Sequence, residues 1–284
     1  MRLQYATRRA TRSQFQIVKK LFITGVSAGI GEAIAKAAMG KGHEVWGTSR
    51  DISRLPSLPR LRRVPLDLSN PDSIDGAFNI ALAEAGNFDV LINNAGSGHF
   101  GPAENLSEKE IASQFQILVF GHMQLMRLAL RMMQARGEGL IINVTSLASR
   151  LPVPFMAAYN AAKAAMASFT MTIQLELPDS RVHIVDLQPG DICTDFNDGV
   201  IKSKLPDQRY EAKVAKTWNK VERNMKNAPR PDLVARRVCE LIDQTSPPPR
   251  MAIGDTFQTK IAPLIFRFLP QRVRIWGLKK YYGL

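Results

Sequence analysis

The chain has 284 residues, long enough to bury a large core in one domain without disulfide bonds. Its two cysteines, Cys193 and Cys239, form no Cys-x-x-C or His-paired metal motif, so we expect free thiols in a reducing, cytoplasmic compartment. No apolar run approaches the roughly 20 residues that a membrane-spanning helix needs.

The formal net charge of +13 is concentrated at the two ends of the chain. Residues 1–20 hold six of the 38 Lys and Arg residues, residues 256–284 hold another six, and neither end contains Asp or Glu. The remaining body carries 26 basic against 25 acidic residues. This neutral body argues against nucleic-acid binding, whereas the basic ends suit contact with an anionic surface.

From Lys19 onward the chain alternates between strand and helix patterns. We predict strands at residues 21–24, 44–48, 63–66, 90–93, 140–144, 183–187 and 251–253. We predict helices near residues 29–40, 72–85, 108–135, 157–177 and 231–244. Because this alternation implies crossover connections, the predicted fold class is α/β: a Rossmann-type doubly wound parallel sheet of about seven strands, flanked by helices.

The segments outside this alternation divide the chain into three parts. Residues 1–18 are basic and predicted to be disordered, although a transit peptide or an overlong reading frame explains their composition as well. Residues 19–255 form a single nucleotide-binding domain, in which segment 195–228 is expected to be a helical lid over the substrate. Residues 256–284 mix apolar and basic side chains, which suit packing across this subunit or a partner, or contact with a membrane surface.

A glycine-rich turn follows the first predicted strand and leads into the first predicted helix. It reads Thr24-Gly25-Val26-Ser27-Ala28-Gly29-Ile30-Gly31. Gly25 permits a tight turn, Gly29 lets the backbone approach a diphosphate, and Gly31 lets the helix pack against the strand. The free N–H groups at the start of the helix favour an anion, so the turn predicts a dinucleotide site.

The second predicted strand ends in Thr48-Ser49-Arg50, and this ending bears on the choice of cofactor. A site for NAD normally has an acid here to hold the ribose hydroxyls. Arg50 instead offers several N–H donors to a 2′-phosphate. We therefore expect NADP(H) rather than NAD, with a solvated surface arginine as the alternative.

Polar motifs also fall at the carboxyl ends of later strands, where ligands bind in open α/β sheets. They are Asp67-Leu68, Asn93-Asn94-Ala95-Gly96, Ser146 and Pro189-Gly190-Asp191-Ile192-Cys193-Thr194. Since the strands are predicted to be parallel, we expect these motifs to lie along one edge of the sheet.

Tyr159 and Lys163 are one helical turn apart and therefore share a helix face. A free phenol has a pKa of about 10, too high for acid–base catalysis near neutrality, and a neighbouring ammonium favours the phenolate. The pair is predicted to exchange a proton with an alcohol or carbonyl oxygen that Ser146 orients. A tyrosine and lysine at this spacing are often incidental, but here they coincide with the nucleotide motifs.

In this order the motifs resemble the short-chain dehydrogenase/reductase superfamily, from about Lys19 to Thr194. The resemblance implies NAD(P)-dependent hydride transfer, with Tyr159 as acid/base, Lys163 also holding the nicotinamide ribose, and Ser146 polarising the substrate. The implied cofactor-binding residues are Gly25, Ser27, Gly29, Ile30, Gly31, Arg50, Asp67, Leu68, Asn94, Ala95, Gly96, Tyr159, Lys163, Pro189, Gly190, Ile192 and Thr194.

Some of these residues take particular roles by the same resemblance. Asp67 and Leu68 would meet the adenine, and Ile192 and Thr194 the nicotinamide carboxamide or the diphosphate. The segment Thr48–Asp51, a Pro-Pro-Arg strand and a basic tail look most like the steroid and retinol dehydrogenase branch.

Leu118 departs from the family pattern, which usually has Asn at this position. That Asn helps to hold a water chain leading protons to the lysine, and leucine offers no side-chain hydrogen bond. The backbone carbonyl remains available, so we expect an altered or slower proton relay rather than abolished chemistry.

His99 follows the Asn-Ala-Gly motif and is a candidate for contact with the substrate, although a structural role is the alternative. The other histidines, His43, His122 and His183, have no clustered acid or thiol partners, so we predict no metal site. Apolar lid positions favour an apolar substrate; they are Phe196, Val200, Ile201 and Leu205.

Together these features predict an NADP(H)-dependent oxidoreductase that interconverts a carbonyl and a secondary alcohol, preferentially by reduction. The alternative is an NADP-binding sensor or scaffold protein with little turnover, which Leu118 supports and the intact Ser146, Tyr159 and Lys163 oppose. By resemblance, the helices at 108–135 and 157–177 would form a homodimer or homotetramer interface. We expect a cytoplasmic protein with a small-molecule substrate and possible peripheral contact with a membrane through its basic ends.

Overall fold

The computed structural model describes residues 17–203 and 208–284. The predictions for residues 1–16 and for Leu205 lie outside these ranges. The strands in chain order are β1 (Lys20–Ile23), β2 (Glu44–Ser49), β3 (Leu61–Pro65), β4 (Val90–Asn93), β5 (His99–Phe100), β6 (Glu138–Val144), β7 (Arg181–Pro189), β8 (Ile201–Lys202) and β9 (Arg250–Ile253). The α-helices are α1 (Gly29–Gly40), α2 (Pro71–Ala85), α3 (Glu108–Phe115), α4 (Gly121–Arg136), α5 (Ala157–Glu176), α6 (Gln208–Asn227), α7 (Pro231–Asp243), α8 (Ala262–Phe268) and α9 (Gln271–Tyr282).

Seven of the described strands form one parallel sheet, as the sequence predicts. Their order is β3-β2-β1-β4-β6-β7-β9, and every neighbouring pair is parallel. The chain leaves β1 in one direction and returns through β4 on the other side, so the carboxyl ends of these two strands border the crevice where ligands bind in such sheets.

Alternate residues of the central strands pack on opposite faces of the sheet. Leu21 and Ile23 of β1 join a core with α1 and α7, while Phe22 joins the core formed with α2, α4 and α5. The same alternation holds in β4, whose four residues are all buried. Burial on both faces explains why these strands are continuous apolar runs rather than alternating apolar and polar residues.

The predicted helix at 108–135 contains a local change of winding in the structure. Ser107 begins α3 with a capping box to Glu110, and a π-helical turn at Gln116–Phe120 separates α3 from α4. Single π-helical turns inside helices are frequent at functional sites. The predicted helical segment is confirmed; the π-helical turn within it was not predicted, because hydrophobic periodicity does not distinguish a local change in helical winding.

The described residues of segment 195–228, which the sequence predicts to be a lid, and the C-terminal extension are mainly helical and lie together. The lid contains a 3₁₀ turn (Asp195–Gly199), strand β8, which pairs with β5, and α6. Helix α9 packs against α6: Asn224 donates a hydrogen bond to the Tyr281 hydroxyl at 2.9 Å, and Tyr282 is buried. The extension therefore packs across its own subunit. Among the described residues no helix has the length and apolar character needed to cross a membrane.

Candidate active site

A cavity of about 1270 Å³ runs along the carboxyl edge of the sheet. It collects nearly all the candidate residues named from the sequence, which come from many separate elements. The candidates that line it are Gly25, Ser27, Gly29, Ile30, Arg50, Asp67, Leu68, Asn94, Ala95, Gly96, Ser146, Tyr159, Lys163, Pro189, Gly190, Ile192 and Thr194. Gly31 and His99 do not line it.

The glycine turn at one end has the conformation that a diphosphate site requires. Gly25 and Gly29 have positive φ angles of 72° and 61°, which favour glycine. A Cβ at Gly25 would lie 2.8 Å from Ala95 Cα, and one at Gly31 would collide with the Gly25 carbonyl oxygen. Gly31 thus serves the packing of α1 rather than contact with a ligand.

The start of α1 leaves backbone donors available to an anion. Its N-cap residue, Ala28, provides no side-chain hydrogen bond, whereas Asn70 and Ser107 cap α2 and α3 with side-chain oxygens. The first N–H groups of a helix have no partner within the helix. An uncapped helix start beside a glycine turn fits a dinucleotide diphosphate.

Hydrogen bonds fix the end of β4 against this turn. The Thr24 hydroxyl accepts hydrogen bonds from the backbone N–H groups of Asn94 and Ala95, both at 2.9 Å. The Asn94 side-chain amide donates to the Thr24 and Gly25 carbonyl oxygens at 2.9 and 3.1 Å. The Asn-Ala-Gly motif therefore holds two strand ends in register at the centre of the cavity.

Arg50 and Asp67 lie close together at the next part of the cavity wall. Burial acts to raise the pKa of Asp67, but hydrogen bonds from the Ser69 hydroxyl and N–H and the nearby Arg50 cation leave the pKa below its ordinary value. Arg50 is exposed at the end of β2. Its guanidinium adds positive charge where the sequence motif predicts the adenosine part of the cofactor.

Ser146, Tyr159 and Lys163 meet at the other side of the cavity. Lys163 is buried and its Nζ donates a hydrogen bond to the Val144 carbonyl oxygen at 2.7 Å. The same Nζ lies 5.9 Å from the centroid of the Tyr159 ring. Ser146 follows β6, and its Oγ accepts a hydrogen bond from the Ala148 N–H at 3.0 Å.

Burial controls the protonation of this group. It raises the pKa of Tyr159 to about 12, against the opposing effect of a hydrogen bond with Ser146. It lowers the pKa of Lys163 to about 8, which the Asp186 carboxylate partly opposes. The expectation that Lys163 brings the phenol pKa down is not met in this structure, because desolvation of the phenol dominates and the ammonium faces the Val144 carbonyl.

Leu118 occupies the π-helical turn behind Tyr159. Its side chain is fully buried with Val119 and Ala162, and Tyr159 packs against the same cluster. A Cβ at Gly96 would lie 2.8 Å from Leu118 Cδ2, so the leucine also reaches the Asn-Ala-Gly motif. An apolar side chain fills the position at which the family usually has an amide.

His122 lies one turn beyond Leu118, and sequence reasoning overlooked its place near Lys163. Burial, together with the Lys163 cation, lowers the pKa of His122 to about 3, so the imidazole is neutral. Its Nε2 has no hydrogen-bond partner among the described residues. The i, i+4 spacing from Leu118 was the available signal.

His99 is not brought to the cavity. Its backbone N–H donates to the Gln114 side-chain oxygen at 3.0 Å, and its Nδ1 lies 3.7 Å from a carboxylate oxygen of Glu110. The imidazole is buried beside α3. This position favours the structural alternative for His99 over contact with the substrate.

The wall facing Tyr159 is apolar and comes from the lid and the extension. The Phe196 ring lies 5.8 Å from the Tyr159 ring, and Phe196 is the one of the described apolar lid positions named from the sequence that lines the cavity. Val200 instead packs in a small core with Phe100, and Ile201 is exposed. Sequence reasoning missed the contribution of the extension, whose apolar lining residues include Ile265, Phe266, Leu269, Val273, Leu278 and Tyr281.

Comparison with known proteins gives the class to which this site belongs. The family model for short chain dehydrogenases matches residues 19–204, and the chain belongs to the short-chain dehydrogenase/reductase superfamily. It is an oxidoreductase of the class that acts on CH–OH groups. Members of this family bind NAD(P) and act on small molecules.

Individual relatives cover most of the chain. A 3-ketodihydrosphingosine reductase of Bacteroides thetaiotaomicron is 29% identical over 266 residues, covering 93% of this chain and 98% of that protein. An NADPH-dependent 1-acyldihydroxyacetone phosphate reductase of Schizosaccharomyces pombe is 32% identical over 180 residues, 62% of this chain and 60% of that protein. The solved structure of a short-chain dehydrogenase from Streptomyces avermitilis has a TM-score of 0.77 at 27% identity, covering 96% and 98% of the two chains.

Proposed function

We propose that this protein is an NADPH-dependent reductase that converts a carbonyl group on an apolar substrate into a secondary alcohol. One observation carries the proposal: a single cavity is lined by Arg50 in one part and by Ser146, Tyr159 and Lys163 in another, beside an apolar wall. The named relatives that reduce carbonyl compounds, one of them with NADPH, support the same direction of reaction.

The cofactor-binding roles follow from the residues along the cavity. The glycine turn and the N–H groups of α1 would hold the diphosphate, and Arg50 the 2′-phosphate. Asp67 and Leu68 would contact the adenine. The remaining candidates, which would contact the nicotinamide end, are Asn94, Ala95, Gly96, Lys163, Pro189, Gly190, Ile192 and Thr194. Bound NADPH supplies the hydride.

The catalytic group then handles the proton. Ser146 orients the carbonyl oxygen of the substrate, and the Tyr159 hydroxyl donates its proton to that oxygen as the carbon accepts hydride. The products are the alcohol and NADP⁺, and the phenolate takes up a proton from solvent. A phenol with a pKa of about 12 is protonated throughout the neutral range, which suits the reductive direction.

The second candidate function is an NADP-binding sensor or scaffold with little turnover. The buried Leu118 favours it, because this residue places no side-chain hydrogen-bonding group in the proton path. The intact Ser146, Tyr159 and Lys163 oppose it. The two functions differ in turnover, not in cofactor binding.

We also propose a homodimer or homotetramer in the cytoplasm. Exposed apolar side chains on α5, Met171 and Leu175, together with Phe120 in the π-helical turn, support an interface built from these helices. Cys193 and Cys239 are free thiols, which suits a reducing compartment. The basic C-terminal extension in addition suits contact with a membrane surface.

The deciding experiment measures consumption of NADPH and NADH against a panel of aldehydes, ketones, quinones and ketosteroids. We expect NADPH-linked turnover that disappears in Tyr159→Phe while NADPH binding persists. Arg50→Ala should raise the KM for NADPH about tenfold and leave the KM for NADH nearly unchanged, since it removes a charge-assisted phosphate contact. Arg63→Ala, on β3 outside the cavity, is the matched control. Tight NADPH binding without turnover on any compound would favour the sensor.

A further inference from the structure

The C-terminal extension presents two different faces. One face of the extension lines the active-site cavity through Phe266 on α8, Leu278 on α9 and Leu269 in the connection between these helices. The exposed apolar residues of the extension that do not line the cavity, which we call the outer face, are Ile261 at the end of a π-helical turn (Phe257–Ile261), Leu264 and Phe268 on α8, and Ile275 and Trp276 on α9. The spacing of Ile261, Leu264 and Phe268 puts them on one side of the helix.

The outer face exposes large apolar side chains. Phe268 is 74% exposed, Trp276 62% and Leu264 60%. Half of the large apolar side chains recorded as exposed in the described chain lie within Phe257–Tyr281. A concentration of exposed apolar side chains in one segment points to an interaction site, since single exposed apolar residues are normally scattered.

Positive charges surround these apolar side chains. Lys260, Arg267, Arg272, Lys279 and Lys280 are all exposed, and the sequence contains no Asp or Glu after Asp255. Lys280 lies 5.2 Å from the Trp276 ring, and Arg267 5.9 Å from the Phe268 ring. Tryptophan and long basic side chains are the groups that anchor proteins at the boundary between headgroups and acyl chains.

We propose that the outer face docks on an anionic lipid surface and that the substrate, a carbonyl compound with a long alkyl chain, reaches the cavity from that surface. The second half of this statement rests on the proposed function. Helices α8 and α9 would form both the docking surface and part of the apolar cavity wall. A compound dissolved in the lipid would therefore be separated from the cavity by the thickness of one helix.

Charge favours lipid over a second copy of the chain as the occupant. A twofold contact through this face would bring the same patch of each copy together. The five exposed cations would then meet five like charges, without an acid in the extension to pair with them. An anionic bilayer complements the charges and accepts the apolar side chains as well.

The test is co-sedimentation of the full chain with vesicles of phosphatidylcholine, with or without phosphatidylglycerol. We expect binding to the anionic vesicles that weakens with salt, and about tenfold weaker binding by a Phe268→Ser/Trp276→Ser double variant. Ile80→Ser is the matched control, because Ile80 is also 74% exposed but lies on α2. Binding of NADPH by all variants establishes that they fold.

The possible outcomes separate docking from catalysis. Failure of the unaltered chain to bind anionic vesicles, or equal binding by both variants, overturns the docking proposal. A change from dimer to monomer in the double variant, without a change in vesicle binding, makes a second copy the occupant and also overturns it. The double variant should reduce a long-chain ketone dissolved in vesicles more slowly than the unaltered chain, and a short soluble ketone at an unchanged rate. If the unaltered chain reduces neither ketone, the proposed function alone is contradicted.

Discussion

Leu118 shows how one side chain sets the surroundings of Tyr159, the proposed acid–base residue. It is completely buried in the π-helical turn and packs with Val119 and Ala162 next to Tyr159. It also reaches Gly96 at the centre of the cavity. An amide in this position would gain hydrogen-bonding capacity but would lose apolar contacts in a site built for a leucine.

We predict that Leu118→Asn raises turnover or shifts its pH profile, because the amide can hold water on the path to Lys163. The same change should lower the free energy of unfolding by about 1–3 kcal/mol, since a polar group replaces a buried apolar one. The pH dependence of kcat and urea unfolding are the measurements. Leu118→Ala is the control, because it opens space without adding an amide. An equal gain in turnover in Leu118→Ala contradicts the prediction. An unchanged rate and pH profile in Leu118→Asn contradicts it as well.

At the scale of elements, the edge strand β9 is attached to the sheet partly through a buried charge. Asp186 of β7 is 1% exposed; one carboxylate oxygen accepts hydrogen bonds from Arg250 at 2.9 Å and Gln188 at 2.7 Å. The Thr145 hydroxyl donates to the other oxygen. Because the Asp186 carboxylate also acts to raise the pKa of Lys163, a change in this attachment would affect the proposed catalytic lysine.

We predict that Arg250→Ala lowers the free energy of unfolding by about 2 kcal/mol, because it removes a charge-assisted hydrogen bond to a buried carboxylate. Arg181→Ala is the control: Arg181 lies on β7 and pairs with Glu138, but its side chain is 80% exposed. Such surface pairs contribute about 0–1 kcal/mol. Equal destabilisation by the two substitutions in urea unfolding would show that burial of Asp186 is unimportant.

At the scale of the whole molecule, folding buries the ionisable side chain of Lys163. Lys163 is enclosed by α5, the end of β6 and the π-helical turn, and its pKa falls from 10.5 to about 8. The folded protein therefore binds fewer protons than the unfolded chain between these two pH values. The free energy of unfolding should rise with pH across this window, and the penalty for burying the ammonium is fully present below pH 8.

We predict that raising the pH from neutral to above the pKa of free lysine stabilises the unaltered protein relative to Lys163→Met. The difference between their free energies of unfolding should change by about 3 kcal/mol over this range. Comparing the two proteins removes the contribution of other groups, such as Tyr159, whose raised pKa makes stability fall at still higher pH. Urea unfolding at several pH values is the measurement. A difference that stays constant with pH would mean that Lys163 titrates normally.

The sequence by itself determined the fold and most of the candidate residues that line the cavity. Apolar runs separated by helical patterns specified the parallel sheet, and Gly25, Tyr159 and Lys163 could be assigned because turn geometry and helical spacing are local properties. Since the carboxyl ends of parallel strands meet at one edge, the positions of the motifs along the chain were enough to predict that they share a cavity.

Only the tertiary structure decided how these residues are surrounded. The high pKa of Tyr159, the neutral His122 and the Asp186 charge near Lys163 depend on burial and on contacts between distant segments. The extension forms a cavity wall because α9 packs on α6, which no local pattern specifies. Local sequence patterns determine the backbone conformation and which side chains share a face of a helix or strand. Desolvation and packing between distant segments arise only when the chain is folded.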